Sequence, residues 1–544
     1  MRWLLGSAFL LKMSLLARGG LRVTGARPAV AQRQTSRMSS IALTTKRAAP
    51  VALLGGTFLA TGREALRGWR TLRRPRWGFK AQKMTSTLTP PTPTEAPTHD
   101  AFTLLKTETL DEYGATCHLY EHKKSKAQVL SVIKPDDDNK VFGVTFRTPP
   151  RDSTGLPHIL EHSVLCGSRQ YPTKEPFVEL LKGSLQTFLN AFTYPDRTCY
   201  PVASQNLEDF RNLARVYLDA VFHPRAAQDP TVLEQEGWHY ELEGDKLTYS
   251  GVVYNEMKGV YSSPDSLMAR ASQQALFPDN AYSVDSGGDP AAIPQLGFDQ
   301  FQQFHGEFYH PGNARVYFYG DDDPAARLDL LEEYLSEFSE RDISTQIKTQ
   351  KLTIKEPQHV KLGFPASSSD DEEGGQHMVS VNWLLTETPP SPKDELGLAV
   401  LDHLLLGTST SRLRKALTDS GLGESVVGGG LSDELVQPTY SVGLKGVAKD
   451  DVPKVEALVV DTLSQLASEG FAADDLEASL NTIEFSLREF NTGSFPKVRT
   501  RRLLIIARLA VASMASSWNR VAADARRSRA GPVLHARHDA ELDL

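Results

Sequence analysis

Apolar positions along the chain follow two rhythms. The runs Val129 to Ile133 and Val141 to Phe146 are almost continuously apolar and are separated by the polar stretch Lys134 to Lys140, the pattern of short buried strands. From Leu207 to Val221 the spacing changes. Leu213, Val216, Tyr217, Ala220 and Val221 recur at three and four residues and form one stripe of an amphipathic helix. Strand and helix signals interleave in this way from Phe102 onward, which predicts an α+β fold. The rhythm stops between Phe364 and Gln376, where Pro365, three serines, four consecutive acids and two glycines mark a solvated connection. Beyond it Met378 to Leu384 reads as the first strand of a second unit, and a helix starting near Asp474 carries an apolar face from Leu476 to Leu487.

The two units share a faint internal repeat. Leu160-Glu161-His162 superposes on Leu401-Asp402-His403 at an offset of 241 residues, and Asn206 to Phe210 superposes on Ala448 to Val452 at 242. Two separate stretches at one spacing point to duplication. The chain therefore divides into a leader, 1–90, and a Pro-rich linker, 91–101, then a first domain, 102–355. A linker, 356–377, leads to a second domain, 378–496, and a basic tail, 497–544, in which no periodic pattern continues. The tail is expected not to be native-like, the genuine sequence ending near Pro496; its alternative is a basic amphipathic surface helix.

Composition narrows the class. With 544 residues, 40% hydrophobic and 23% charged, the chain is globular rather than disordered, collagen-like or multispan. No membrane span is expected, because runs such as Val51 to Ala60 fall short of the roughly 20 apolar residues a spanning helix needs. Cys117, Cys166 and Cys199 are too few for a disulfide framework and suit a reducing compartment. The overall charge of −7 conceals an asymmetry: residues 1–90 hold 17 Lys and Arg against Glu64 alone, the composition of a disordered organellar transit peptide. Residues 91–496 carry a net charge of −29, a field that argues against nucleic acid and favours basic partners.

The densest chemistry lies at His158-Ile159-Leu160-Glu161-His162. On a helix, residues i and i+4 share a face, so both imidazoles can reach one metal ion while Glu161 points toward it; this is the inverted zincin order. Pro157 suits the first turn, and Ser153 or Thr154 could cap it. A catalytic zinc takes three protein ligands and leaves a position for water. Glu256 is the best third candidate, since Val253, Met257 and Val260 give its segment a buried helical face; Glu234, Glu236 and Glu241 compete with it. Cys166, four residues after His162, could face the site as a redox-sensitive thiol but reads first as a core residue, as does Trp238. In the repeat His403 matches His162, but Ala399 stands where the first histidine would be, so the second unit carries no such site.

The stretch Gly155 to Gly167, followed by Lys174 to Gly183, Leu189 to Asp196, Gly251 to Gly259, Asp285-Ser-Gly-Gly-Asp289 and Tyr309 to Ala314, resembles the presequence protease branch of the pitrilysin-type (M16) metallopeptidases over about Phe102 to Pro496. The resemblance implies repeated pitrilysin-type α+β domains (the fold class also of LuxS and MPP), with antiparallel-rich sheets and helices packed on one face, the second domain being incomplete. It places the metal ligands of a single Zn2+ on His158, His162 and Glu256 and the general base on Glu161. Leu189, Asn190, Ala191, Phe192 and Thr193 fall on the family's edge strand, where an extended peptide adds as a further strand. The implied activity is zinc-dependent degradation of cleaved targeting peptides and other short unstructured, preferentially basic peptides in the mitochondrial matrix or chloroplast stroma. A complementary C-terminal half is expected for full activity. Two rival readings are an organellar processing peptidase subunit and a non-catalytic binding or assembly subunit.

Overall fold

The computed structural model describes residues 95–352, 357–364 and 377–489, together with the backbone of Leu21–Gly25. The described residues belong to one unit; a second unit, 29–89, and the tail from 490 lie outside them, so the expectations for the tail are not addressed. Strands are numbered β1 (Leu21–Gly25), β2 (Phe102–Leu110), β3 (Ala115–His122), β4 (Gln128–Ile133), β5 (Lys140–Arg147), β6 (Gln186–Leu189), β7 (Phe192–Thr193), β8 (Arg197–Ser204), β9 (His239–Glu243), β10 (Lys246–Ser250), β11 (Ala314–Gly320), β12 (Gln358–Leu362), β13 (His377–Leu384), β14 (Ser425–Ser432) and β15 (Thr439–Val447). The helices are α1 (Leu156–Val164), α2 (Pro176–Gly183), α3 (Leu207–Phe222), α4 (Pro230–Glu236), α5 (Val252–Tyr261), α6 (Pro264–Leu276), α7 (Phe298–Phe308), α8 (Pro324–Leu335), α9 (Pro392–Asp402), α10 (Arg412–Asp419), α11 (Val452–Glu469) and α12 (Ala473–Glu489).

The first sheet runs β2-β3-β4-β11-β5-β8-β6, with the short β7 also paired to β8. All pairings are antiparallel except β4 with β11. One face is large and apolar. Phe142, Val144, Phe146, Tyr200, Val202, Val316 and Phe318 lie on it, under α1, α3, α7 and α8. The register sets Phe142 opposite Phe318, with ring centroids 5.2 Å apart. The other face holds only a small cluster of Val132, Val141, Ala203, Tyr317 and Tyr319. Helix α3 buries the stripe read from its sequence, and the Asn206 side chain accepts from the Asp209 N–H at 3.0 Å to start it.

The second sheet runs β12-β1-β13-β15-β14 beneath α9, α10 and α11, with Trp383, Val442 and Leu444 facing Leu405, Leu413, Val455 and Val459. Its order β13-β15-β14 repeats β5-β8-β6 of the first sheet, all antiparallel, and α11 follows β15 as α3 follows β8. The 241-residue offset is thus visible in the topology.

Three details differ from expectation. Helix α1 begins at Gly155, in the left-handed region at φ 71°, with no side-chain cap; the Ser153 hydroxyl instead accepts from the Asp285 N–H. The supposed linker 356–377 contains β12, because its residues can bury one side in the second sheet. The leader, expected to be disordered, supplies β1, parallel to β12 and antiparallel to β13, the place beside β13 that β11 takes beside β5. Backbone groups of β12 and β13 facing that gap otherwise lack strand partners, and the short alternating segment Leu21-Arg22-Val23-Thr24 supplies them. Among the described residues no helix is long and apolar enough to cross a membrane.

Candidate metal centre

Helix α1 anchors the site through Ile159, Leu160 and Val164, all fully buried, which turns its opposite face toward α5. On that face the His158 and His162 rings stand 5.0 Å apart at 78°. Glu256 on α5 reaches both: Oε1 lies 3.7 Å from His158 Nε2 and Oε2 lies 3.7 Å from His162 Nε2. One donor atom from each residue can be chosen so that all lie within 4.8 Å of one another, and among the described residues this is the one such group. Tetrahedral ligands at about 2.1 Å from a zinc ion are about 3.4 Å apart, so the donor set and its spacing fit that ion with little adjustment. Val253 and Met257 bury the adjoining face of α5, and the Glu256 side chain remains 48% exposed, open to an incoming group.

Both histidines are held from behind. His158 Nδ1 lies 3.0 Å from the carbonyl oxygen of Gly287, which only accepts, so Nδ1 is the donor and Nε2 is the nitrogen that faces Glu256. His162 Nδ1 lies 3.6 Å from Glu236 Oε2. Glu236 therefore stands on the far side of the ring from Glu256, as an outer partner rather than a third ligand. Glu234 and Glu241 are exposed and outside the cluster.

Glu161 is buried at 9% exposure beside the two rings. Burial raises its pKa, opposed by a hydrogen bond with Thr193 and by the charges of His158 and His162. Burial works against protonation of His162, but the hydrogen bond to Glu236 and the neighbouring carboxylates outweigh it and raise its pKa. Burial alone would raise Glu236; hydrogen bonds from His162, Gln235 and Cys166 win and lower it.

Leu189 to Thr193 runs along the outer edge of the first sheet. Leu189 ends β6, Phe192 and Thr193 form β7, and both strands pair with β8 on one side only among the described residues. Asn190 is partly committed, its carbonyl accepting from the Tyr217 hydroxyl at 3.2 Å. Ala191 is buried in the core. Thr193 closes the gap to α1, with Oγ1 3.5 Å from the Pro157 carbonyl and in contact with Glu161. The edge and the histidine pair are therefore neighbours.

The remaining candidates are structural. Cys166 packs on the core, its thiol 3.6 Å from the His162 carbonyl and its pKa pushed up by burial and then by Glu236. Trp238 packs on the same core and donates to the Leu296 carbonyl at 3.0 Å. His403 Nδ1 lies 3.0 Å from Ser479 Oγ on α12, and no carboxylate cluster forms there among the described residues. The outer partners Gly287 and Glu236 were not readable as such. Asp285 to Asp289 stood out in the sequence only as a shared motif.

Residues 295–483 match the sequence model of a family described as "Peptidase M16 inactive domain", a span that begins after His158, His162 and Glu256. Presequence protease 1, chloroplastic/mitochondrial, of Arabidopsis thaliana is 59% identical over 400 residues, which cover 73% of this chain and 37% of that protein. Protein HypA of Clostridium perfringens is 44% identical over 401 residues, covering 73% and 41%, and the mitochondrial presequence protease of Mus musculus is 39% identical over 394, covering 71% and 38%. The chain thus spans about two fifths of the length of these relatives. In fold it is similar to pitrilysin, with a TM-score of 0.52 at 17% identity over 75% of this chain and 42% of the other. A peptidase M16 inactive domain from Pseudomonas fluorescens gives 0.53 at 16% over 70% and 83%.

Proposed function

Because the chain belongs to the peptidase M16 family, as a homologue of the organellar presequence proteases, we propose that it is a zinc-dependent endopeptidase of mitochondria or chloroplasts. Its proposed substrates are cleaved targeting peptides and other short unstructured peptides. The observation that carries this reading is the convergence of His158, His162 and Glu256 from two helices at ligand spacing, with Glu161 buried beside them. The inactive-domain match does not weigh against it, since that span lies outside the cluster.

Bound there, zinc would supply Lewis acidity toward a peptide carbonyl and ease deprotonation of water. The chain's own residues do the rest. An extended peptide lies along the open edge at Leu189 to Thr193 and is held by main-chain hydrogen bonds, a mode that reads backbone more than side chains. Glu161 accepts a proton from the attacking water and delivers it to the leaving amine nitrogen. Its burial and raised pKa suit a group that must take and then release a proton. Thr193 stands next to the base and its Oγ1 lies 3.5 Å from the Pro157 carbonyl, so the peptide edge is held beside α1.

The test is Glu161→Gln, which removes the base and no ligand. It should keep about one zinc per chain and lower kcat on an unstructured targeting-type peptide by a factor of about 100 to 10,000. His158→Ala should lose the metal. Full hydrolysis by a folded Glu161→Gln protein would refute the assignment.

A further inference from the structure

We propose that Asp285 is a positioning residue for the metal centre, holding the loop whose carbonyl aims His158 and tying that loop to the helix that carries Glu256. The inference rests on the zinc reading above and goes beyond it, because Asp285 touches none of the proposed ligand atoms. Its carboxylate is 7% exposed and fully engaged. Oδ1 accepts from the Gly287 N–H at 2.9 Å, which folds the loop back on itself and leaves the Gly287 carbonyl pointing at His158 Nδ1. Oδ2 accepts from the Tyr261 hydroxyl at 2.8 Å and pairs with Arg270. Tyr261 is the last residue of α5, five positions after Glu256, and Arg270 belongs to α6.

The loop is also pinned to the start of α1. The Asp285 N–H donates to the Ser153 hydroxyl at 3.1 Å and the Asp289 N–H donates to the Ser153 carbonyl at 2.8 Å. The approach is close: a Cβ on Gly155 would lie 2.8 Å from the Gly287 carbonyl oxygen. One buried carboxylate thus joins the element bearing His158 to the one bearing Glu256. Without it, Gly287 can turn its carbonyl away, the His158 ring loses the partner that aims it, and α5 loses a tether. Outer partners that fix a ligand's tautomer and orientation typically change metal affinity by about 10- to 100-fold.

The experiment titrates the metal-free full-length chain with zinc against a chromophoric chelator, and records the visible absorption of the cobalt(II)-loaded protein. Asp285→Ala should weaken zinc binding by about 10- to 100-fold and alter the cobalt spectrum. Asp285→Asn, which keeps one acceptor oxygen for the Gly287 N–H but loses the charge that pairs with Arg270, should recover part of the loss. Asp289→Ala, in the same loop, removes a charge near Tyr261 and Arg270 but no hydrogen bond of the clamp, and should weaken zinc binding less than Asp285→Ala. Wild-type affinity and spectrum in folded Asp285→Ala would overturn the inference while leaving the zinc reading intact. A wild-type chain that binds no zinc would remove both. Should Asp285→Ala not fold, Tyr261→Phe decides, since it deletes one hydroxyl of the same link: a clear loss of affinity supports the clamp, and unchanged affinity overturns it.

Discussion

Gly251 is the residue on which the geometry of Glu256 depends most directly, and replacing it with alanine should damage stability and metal binding together. It precedes α5 at φ 150°, ψ 155°, a conformation nearly confined to glycine, which costs another residue about 1 to 3 kcal/mol. Sterics add to this. A Cβ at Gly251 would lie 2.3 Å from the Gly237 carbonyl oxygen and 2.8 Å from Trp238 Cα, backbone atoms that no rotamer change can move. Restoring an ordinary contact of about 3.4 Å requires a shift of about 1 Å, and overpacking of this kind costs about 1 to 3 kcal/mol more. The expected loss is therefore about 2 to 6 kcal/mol of folding stability. A 1 Å displacement of the first turn of α5 is about half a zinc–ligand bond, so zinc affinity should fall by at least about tenfold. Urea denaturation of the metal-free protein and competitive zinc titration measure the two effects. Gly244→Ala is the control: it sits at φ 62° in the β9–β10 turn with nothing within 4 Å of a new Cβ, and should cost only about 1 to 2 kcal/mol with no change in zinc binding. Gly251→Ala matching that control in both measurements would refute the argument.

Three further outcomes are expected. His305 is buried with Nε2 3.0 Å from the Val221 carbonyl, and burial lowers its pKa to about 4 from 6.5. The unfolded chain therefore binds the proton first as pH falls, so this stabilisation is complete above about pH 6.5 and about 3 kcal/mol is lost between there and pH 4. His305→Gln should flatten that part of the stability profile, and an unaltered profile would show that other groups govern it. The net charge of −29 over 91–496 should give basic peptides a larger kcat/KM than matched acidic ones, with a gap that narrows as salt shortens the field to about 8 Å. Equal values at every ionic strength would limit the charge to a solubility role. Finally, since the chain spans about two fifths of its relatives, it should hydrolyse peptides slowly by itself, by a factor of about 100 to 1000 if the remaining portion supplies an oxyanion donor. Mixing with the remaining portion of a relative should raise turnover, and no rise would mean that this span suffices.

Much of the molecule is legible in one dimension because its determinants are local. A helix places residues i and i+4 on one face whatever surrounds it, so His158 and His162 could be paired and Glu161 set beside them from spacing alone. The stripe on α3, the strands β4, β5 and β13, and the offset between the two sheets follow from the same short periodicities. Distance along the chain is what these patterns cannot span. Glu256 was one of four candidate acids until α5 packed across from α1, and only that contact put its two oxygens on the two Nε2 atoms and turned Glu236 to the opposite side of His162. The Gly287 carbonyl has no side chain to announce it, and Asp285 acts through backbone atoms and partners on three other segments. The same holds for β1 and β12, whose alternation of apolar and polar residues spans too few positions to stand out from the segments around it. An open row of backbone donors and acceptors in the second sheet makes strands of them, a demand that exists only once the sheet has formed.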